Sequence, residues 1–252
     1  YYHSGMGGQA NTNSTLGSSN FDGTIQATVK ANTTSGFSIV SFTGNATSGA
    51  TVGHGLGVAP KWLIVKERGN TNDWVVYHKD LGTSSGNTNV QFLNLSNDIG
   101  GGFAGGFNNT DPSSSVFTLG NSTETNRSSG NFITYCFSEV PSYSKFGKYT
   151  GNGSTNGTFV FTGFRPSLII LKRFNSAASW VIHDDKRSGS NPDNDYLHPD
   201  NQQAESDGSS GTLDILSNGF KLRMTAGTHN GSGDSYIYMA FARSPFKNSR
   251  AR

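Results

Sequence analysis

Only one cysteine, Cys136, occurs in 252 residues, so no disulfide can form within the chain. It sits in the apolar run 132–137, which marks a buried structural thiol rather than a nucleophile. Charge is scarce as well: 14% of residues are charged and the net charge is +2. A nucleic-acid binder needs clustered lysine and arginine to displace counterions, and no such stripe is visible. The one basic cluster, in residues 243–252, reads as a solvated end. Long apolar runs are missing too. The longest covers residues 236–242, whereas a membrane-spanning helix needs about 20 residues. No secretory leader pattern is visible, and the first residue is Tyr1 rather than Met, so the expectation is a processed product or a piece of something longer. No stretch of ten or more residues carries an apolar stripe of helical period, which predicts few helices.

The chain is also poor in apolar residues, at 33%. Low apolar content usually accompanies high charge in disordered chains, but here the balance is glycine, serine, threonine and asparagine. Aromatic residues reach 12%, which argues against disorder. Short strands bearing aromatic and β-branched residues, joined by long turn-rich loops, reconcile these facts.

The strongest signal is repetition. Pro60-Lys61-Trp62-Leu63-Ile64-Val65-Lys66, a polar turn and Trp74-Val75-Val76-Tyr77-His78 recur as Pro166-Ser167-Leu168-Ile169-Ile170-Leu171-Lys172, a turn and Trp180-Val181-Ile182-His183. Upstream, Phe42-Thr43-Gly44-Asn45 recurs as Tyr149-Thr150-Gly151-Asn152. Downstream, Ile133-Thr134-Tyr135-Cys136-Phe137 recurs as Ile237-Tyr238-Met239-Ala240-Phe241. A period of roughly 100 residues is the size of a domain, not of a solenoid unit. The expected fold is therefore all-β: two tandem, related β-sandwich domains of jelly-roll type with long Gly/Ser/Asn-rich loops. Residues 1–36 would be a lead-in, with a strand-like stretch at 24–29; residues 37–146 would form the first domain and 147–252 the second. Each Pro-led apolar run and its Trp-led partner should form a hairpin, and Leu213-Asp214-Ile215 should turn back on Phe220-Lys221-Leu222 around Ser217-Asn218-Gly219. The loops at 82–130 and 187–212 are where the copies diverge. The glycine-rich stretch 100–107 has no helical reading.

Candidate chemistry is thin. Asp193, Asp195 and Asp200, among Asn191, Asn194 and Asn201, could wrap a hard cation, and calcium is the ion such a loop would take. The glycine and glutamate of an EF-hand loop are missing, and Asx-rich turns need no metal. No cofactor is otherwise expected. His183-Asp184-Asp185 and His78-Lys79-Asp80 each set a histidine beside a carboxylate. With the tryptophans aligned, the histidines differ by one position, which puts them on opposite faces of a strand. Gly53-His54-Gly55-Leu56-Gly57 lacks the helix that a phosphate cradle requires. Trp62, Trp74 and Trp180 could stack against sugars, although two of them, Trp74 and Trp180, sit at matching repeat positions, which favours core packing.

The motifs Thr43-Gly44-Asn45, Val52-Gly53-His54-Gly55-Leu56-Gly57-Val58-Ala59-Pro60, Trp74-Val75-Val76-Tyr77-His78-Lys79-Asp80-Leu81 and Tyr143-Ser144-Lys145-Phe146-Gly147, with Tyr149-Thr150-Gly151-Asn152-Gly153-Ser154 and Ser217-Asn218-Gly219-Phe220-Lys221, resemble the tandem C-terminal module of tail-fibre and structural virion proteins of marine tailed bacteriophages. The resemblance covers nearly the whole chain. It implies a non-enzymatic virion component, in an external appendage or shell, that associates with itself (as a trimer by preference) and with other virion proteins. It carries over no catalytic or ligand residues. A host-surface polysaccharide is the partner expected at the loops; nucleic acid and membrane insertion are not expected. The alternatives are a capsid-decoration or extracellular filament scaffold, and a polysaccharide depolymerase, which would need two carboxylates about 5–10 Å apart in a groove.

Overall fold

A computed structural model describes residues 17–84, 87–98, 103, 105–207 and 211–244. The residues outside these ranges include the first 16 of the expected lead-in, part of the glycine-rich stretch 100–107 and all of the basic end beyond residue 244. The described chain is mostly β-strand in antiparallel sheets, with almost no helix. It divides into two compact units, one within residues 1–90 and 101–138, the other within 91–100 and 139–252.

The first unit holds β1 (Ser18–Asn20), β2 (Ala27–Asn32), β3 (Phe37–Thr43), β4 (Ala50–Gly53), β5 (Trp62–Glu67), β6 (Val75–His78), the two-residue strands β7 (Thr83–Ser84) and β8 (Asn87–Thr88), then, after β9 (Gln91–Phe92) of the other segment, β10 (Val116–Leu119) and β11 (Asn131–Phe137). Its main sheet runs β1-β2-β3-β11-β5-β6, and β4 pairs with β10 in a second sheet. The second unit adds β12 (Ser144–Thr150), β13 (Phe159–Phe161), β14 (Pro166–Arg173), β15 (Val181–Asp184), β16 (Asp195–Tyr196), β17 (Ser206–Asp207), β18 (Leu213–Leu216), β19 (Gly219–Leu222) and β20 (Ser235–Ala242). Its main sheet runs β12-β20-β14-β15, and its second sheet β13-β19-β18. The main sheets therefore share the order β3-β11-β5-β6 and β12-β20-β14-β15. In the second sheets β4 and β10 answer to β13 and β19.

All three expected hairpins are present. β5 pairs with β6 and β14 with β15 across the polar turns, and β18 pairs with β19 across Ser217-Asn218. The apolar runs serve as interior strands, flanked by β11 and β6 or by β20 and β15. Two expected boundaries shift. Residues 18–32 are not a linker, because β2 lies beside β3 in register over its whole length and so belongs to the first sheet. A boundary at 146/147 would cut β12, which pairs with β20 from Ser144 to Thr150; the units part at 138/139 instead.

Each unit has an aromatic centre built alike. Phe42 lies opposite Phe132 across β3 and β11, and the rings stack at 5.3 Å with 13° between planes. Tyr149 lies opposite Tyr236 across β12 and β20, stacked at 4.7 Å and 7°. A phenylalanine of the second sheet meets each stack edge-on: Phe117 against Phe42 at 6.1 Å, Phe220 against Tyr149 at 6.2 Å. Edge-to-face packing sets the positive rim of one ring against the negative face of another.

Candidate functional site

Polar side chains are buried at matching places in the two units, and there they organise the loops. The Thr-Gly-Asn corner that follows β3 or β12 packs on a turn bearing a fully buried asparagine. In the first unit, Asn126 ends the short helix α1 (Thr123–Asn126), whose N-cap Ser122 accepts the Glu124 amide. Asn45 N–H donates to Asn126 Oδ1 at 2.9 Å, and Asn126 Nδ2 donates to the carbonyls of Thr47 and Gly120 at 3.1 and 2.7 Å. In the second unit, Asn152 N–H donates to Asn230 Oδ1 at 3.0 Å, and Asn230 Nδ2 donates to Ser154 O, Met224 O and Asn152 Oδ1 at 2.8, 2.9 and 2.9 Å. The glycine of each corner is forced by this approach: a Cβ on Gly44 would lie 2.4 Å from Arg127 O, and one on Gly151 2.3 Å from Gly231 O.

The units solve the same turn differently. Residues 226–231 form no helix, and the second unit's tyrosines supply what α1 supplies in the first. Tyr149 Oη donates to His229 O at 2.7 Å; Tyr236 Oη donates to Gly227 O at 2.7 Å and accepts the Gly231 amide at 2.8 Å. Their counterparts Phe42 and Phe132 have no hydroxyl and need none. The adjoining ion pairs are inverted. Glu67, wholly buried, binds Arg127, whereas Arg173, at the place of Glu67, binds Asp234 at 3.0 Å. Lys66 and Lys172 both reach over the following turn, to the carbonyls of Asn70 and Asn72 and to that of Ala178, and Lys172 also donates to Ser96 O at 3.0 Å.

The units differ most at the inward-facing position of the strand that answers the apolar run. In the first this is Tyr77, opposite Leu63, whose hydroxyl donates to Asp111 at 2.8 Å. In the second it is His183, opposite Ile169. His78 sits one position on, edge-to-face with Trp62 at 5.1 Å, so the two histidines do lie on opposite faces of their hairpins. The partner of His183 is Asp193, ten residues away, rather than its neighbour Asp184: Nδ1 lies 3.2 Å from Asp193 Oδ2. Its Nε2 lies 3.0 Å from His229 Nε2, and His229 Nδ1 lies 2.8 Å from Thr228 Oγ1. Both histidines are fully buried, and Tyr196 packs edge-on against His229 at 5.0 Å.

This chain of polar groups fixes its own protons. With Asp193 ionised, His183 donates from Nδ1 to the carboxylate and accepts at Nε2 from His229, which in turn accepts from Thr228. A second proton on His183 would break its bond with His229, whereas one on His229 would turn the Thr228 hydroxyl from donor to acceptor. Burial pushes the pKa of His183 below 6.5, against the opposing pull of Asp193, and burial together with His183 and His198 pushes that of His229 well below it. The unfolded chain then binds protons that the native state refuses, so the stability contributed by these rings is intact above about pH 6.5 and drains away as the pH falls below it. His229→Gln, which keeps a donor for His183, is expected to flatten the decline of unfolding free energy on acidification, measured by urea denaturation across pH. An unchanged slope would contradict this assignment of protons.

A cleft of about 50 Å³ adjoins Asp193 and is also bordered by Arg165, Asp185 and Asn191. Asp193 Oδ1 is buried and has no hydrogen-bond partner.

The other residues singled out in the sequence scatter. Trp62 and Trp180 are 1% and 0% exposed, so their rings are core and offer no face to a sugar; Trp180 Nε1 donates to Phe92 O at 2.8 Å. Trp74 is half-buried. Asp193, Asp195 and Asp200 do not converge. Asp195 accepts from Ser188 at 2.9 Å and Asp200 from the Trp180 amide at 3.2 Å, while Asp193 serves His183. Among the described residues no group of three His, Cys, Asp or Glu is arranged to hold a metal ion. Cys136 is buried, and burial lifts its thiol to about 12, which keeps it protonated and inert. His54, in the glycine-rich 53–57 segment, is buried and tied to Ser113 O at 3.2 Å and to the Leu56 amide. His229, Asn126 and Asn230 escaped the sequence reading. The aligned segments Thr123-Glu124-Thr125-Asn126-Arg127 and Gly227-Thr228-His229-Asn230-Gly231 share an asparagine that would have flagged the latter two.

The class these observations define is a protein of antiparallel β-sheets whose polar loops hang on buried asparagines, with no helix among the described residues long and apolar enough to cross a membrane. The family model described as a domain of unknown function, DUF7483, matches residues 10–245, and the chain belongs to that family. No curated protein and no solved structure matches it.

Proposed function

We propose that the chain is a module of a bacteriophage virion structural protein, set in a tail fibre or other external appendage. It is non-enzymatic and presents its loops to a host-surface glycan. In this reading it consists of two tandem β-sandwich domains of jelly-roll type that descend from one duplicated unit. The observation that carries the reading is the shared frame beneath unlike loops. Strand order, stacked aromatic pair and buried asparagine recur, while the connections between them differ in length and content. A rigid scaffold with divergent loops suits recognition. The edge-on rings that join first sheet to second in each unit support the sandwich. The sequence resemblance to phage appendage modules points the same way, and the enclosure of the second unit's histidine pair argues against catalysis by it.

The test is location. Antibody raised against the isolated chain should decorate appendages of phage particles in negative-stain electron microscopy, and the labelled chain should bind host cells and lose that binding after their surface polysaccharide is stripped. Labelling confined to the head shell would favour a decoration protein instead. Release of oligosaccharides from the polysaccharide would favour a depolymerase.

A further inference from the structure

The second sheets of the two units contain corresponding strands, and only one of those strands is covered. Val52 of β4 lies opposite Phe117, and Val160 of β13 lies opposite Phe220, so Thr51 and Gly53 answer to Phe159 and Phe161. In the first unit residues 20–25 close the outer edge of β4. Ile25 N–H donates to Thr51 O and Thr51 N–H donates to Thr24 Oγ1, each at 2.9 Å. The Asn20 side chain packs on Gly53 and leaves no room for a Cβ there. The second unit has no such cover. Thr158 O accepts the Leu222 amide and Thr162 N–H donates to Asn218 O, at 3.1 and 3.0 Å, so the backbone groups of Phe159 and Phe161 point away from β19. No described strand lies on that side. Both rings are exposed, Phe159 by 44% and Phe161 by 61%. The chain has no second lead-in to spend here, because the strand that precedes β12 is β11, built into the first unit's sheet.

We propose that the edge of β13 receives the same edge of a second copy of the chain, about a two-fold axis at Val160. A two-fold contact sets a surface against itself, so that surface must be self-complementary. Phe159-Val160-Phe161 reads the same in both directions. Paired antiparallel with its copy, it sets Phe159 opposite Phe161 of the second copy at both ends, with all four rings on one face. The N–H and C=O groups that β19 leaves free then bond in pairs, and two three-stranded sheets become one. Charge permits the meeting. Residues 151–164 hold no charged residue and no proline, whereas β12, the edge strand of the second unit's main sheet, bears Lys145 and Lys148. Lysine and proline are what an exposed edge uses to refuse a partner. At about 200 Å² for a whole phenylalanine, the two rings expose a comparable area in each copy. That is less than a standard interface, so the pair should be weak, with a Kd of about 0.1–1 mM. Copies held side by side would still meet there. The pairing does not rest on the glycan-binding reading.

The experiment is sedimentation equilibrium of the full chain over a range of about 10 μM to 1 mM. The average mass should rise towards that of two chains, and exchange of the Phe159 and Phe161 amides should slow as the concentration increases. Phe159→Lys and Phe161→Glu are changes at exposed positions, each expected to weaken pairing by about tenfold or more while leaving the urea midpoint in place. Mixed together, the two variants should pair again, because the two-fold register sets the new lysine opposite the new glutamate. A mass that stays at one chain throughout would overturn the proposal. So would association that survives both substitutions, that mixing does not restore, or that yields trimers. Host polysaccharide that binds a chain which stays monomeric, and is lost on Phe159→Lys, would make the rings a glycan platform and overturn the pairing while leaving the glycan-binding role standing.

Discussion

Asn230→Ala is expected to destabilise the second unit by about 3–5 kcal/mol, because it strands several buried polar groups at about 1–3 kcal/mol each. The side chain satisfies the Asn152 amide, Asn152 Oδ1 and the carbonyls of Ser154 and Met224, and it is fully buried. Alanine removes all four bonds and leaves their partners without the side chain that joined them. Several penalties of about 1–3 kcal/mol then act together, offset in part by relaxation of the corner. Asn126→Ala should cost the first unit a similar amount, since it serves the Asn45 amide and the carbonyls of Thr47 and Gly120. Amide hydrogen exchange locates the damage. Protection should fall at β12 and β20 in the one variant and at β3 and β11 in the other. Urea midpoints that move by less than about 1 kcal/mol in both would show that the corners are held by something else.

The repeat made much of this readable in advance. Strands are specified by short-range patterns, and the runs Trp62-Leu63-Ile64-Val65 and Leu168-Ile169-Ile170-Leu171, each behind a proline, announced interior strands with hairpin partners. The register argument about His78 and His183 also held, because a one-residue offset in a strand reverses the face whatever the partners are. What could not be read was the identity of partners across the fold. Nothing local to His183 points to Asp193 in preference to Asp184, because the choice is made by the backbone pairing of Asp193 with Leu213. The tryptophans illustrate a different limit. An aromatic ring among polar neighbours reads alike as a sugar platform or as a core residue, and only burial separates the two. The three aspartates of 193–200 fell apart because each is drawn to a different donor, one of them a histidine from another strand.

Phe220→Ala and Phe117→Ala should each cost about 3–5 kcal/mol, the usual penalty for emptying the seat of a buried phenylalanine. Both rings are fully buried and stand edge-on to the stacked pair of their own unit, so each ties the second sheet to the first. The second unit should suffer more. Phe220 also meets Tyr238 edge-on at 5.6 Å, and the stack it supports carries the hydroxyls that hold residues 226–231. Loss of Phe220 lets Tyr149 tilt, which strains the bond from its hydroxyl to His229 O, next to the asparagine that fixes the corner. In the first unit the equivalent turn is closed by the Ser122 cap, which a shift of Phe42 would not reach. Tyr149→Phe separates the two contributions. It removes the hydroxyl but keeps the stack, and it should cost about 1–3 kcal/mol. Combined with Phe220→Ala it should add less than its own value, because the bond it deletes is already weakened. Full additivity in the double-mutant cycle would mean that the aromatic stack and the asparagine corner are independent, and that the resemblance between the units stops at strand order.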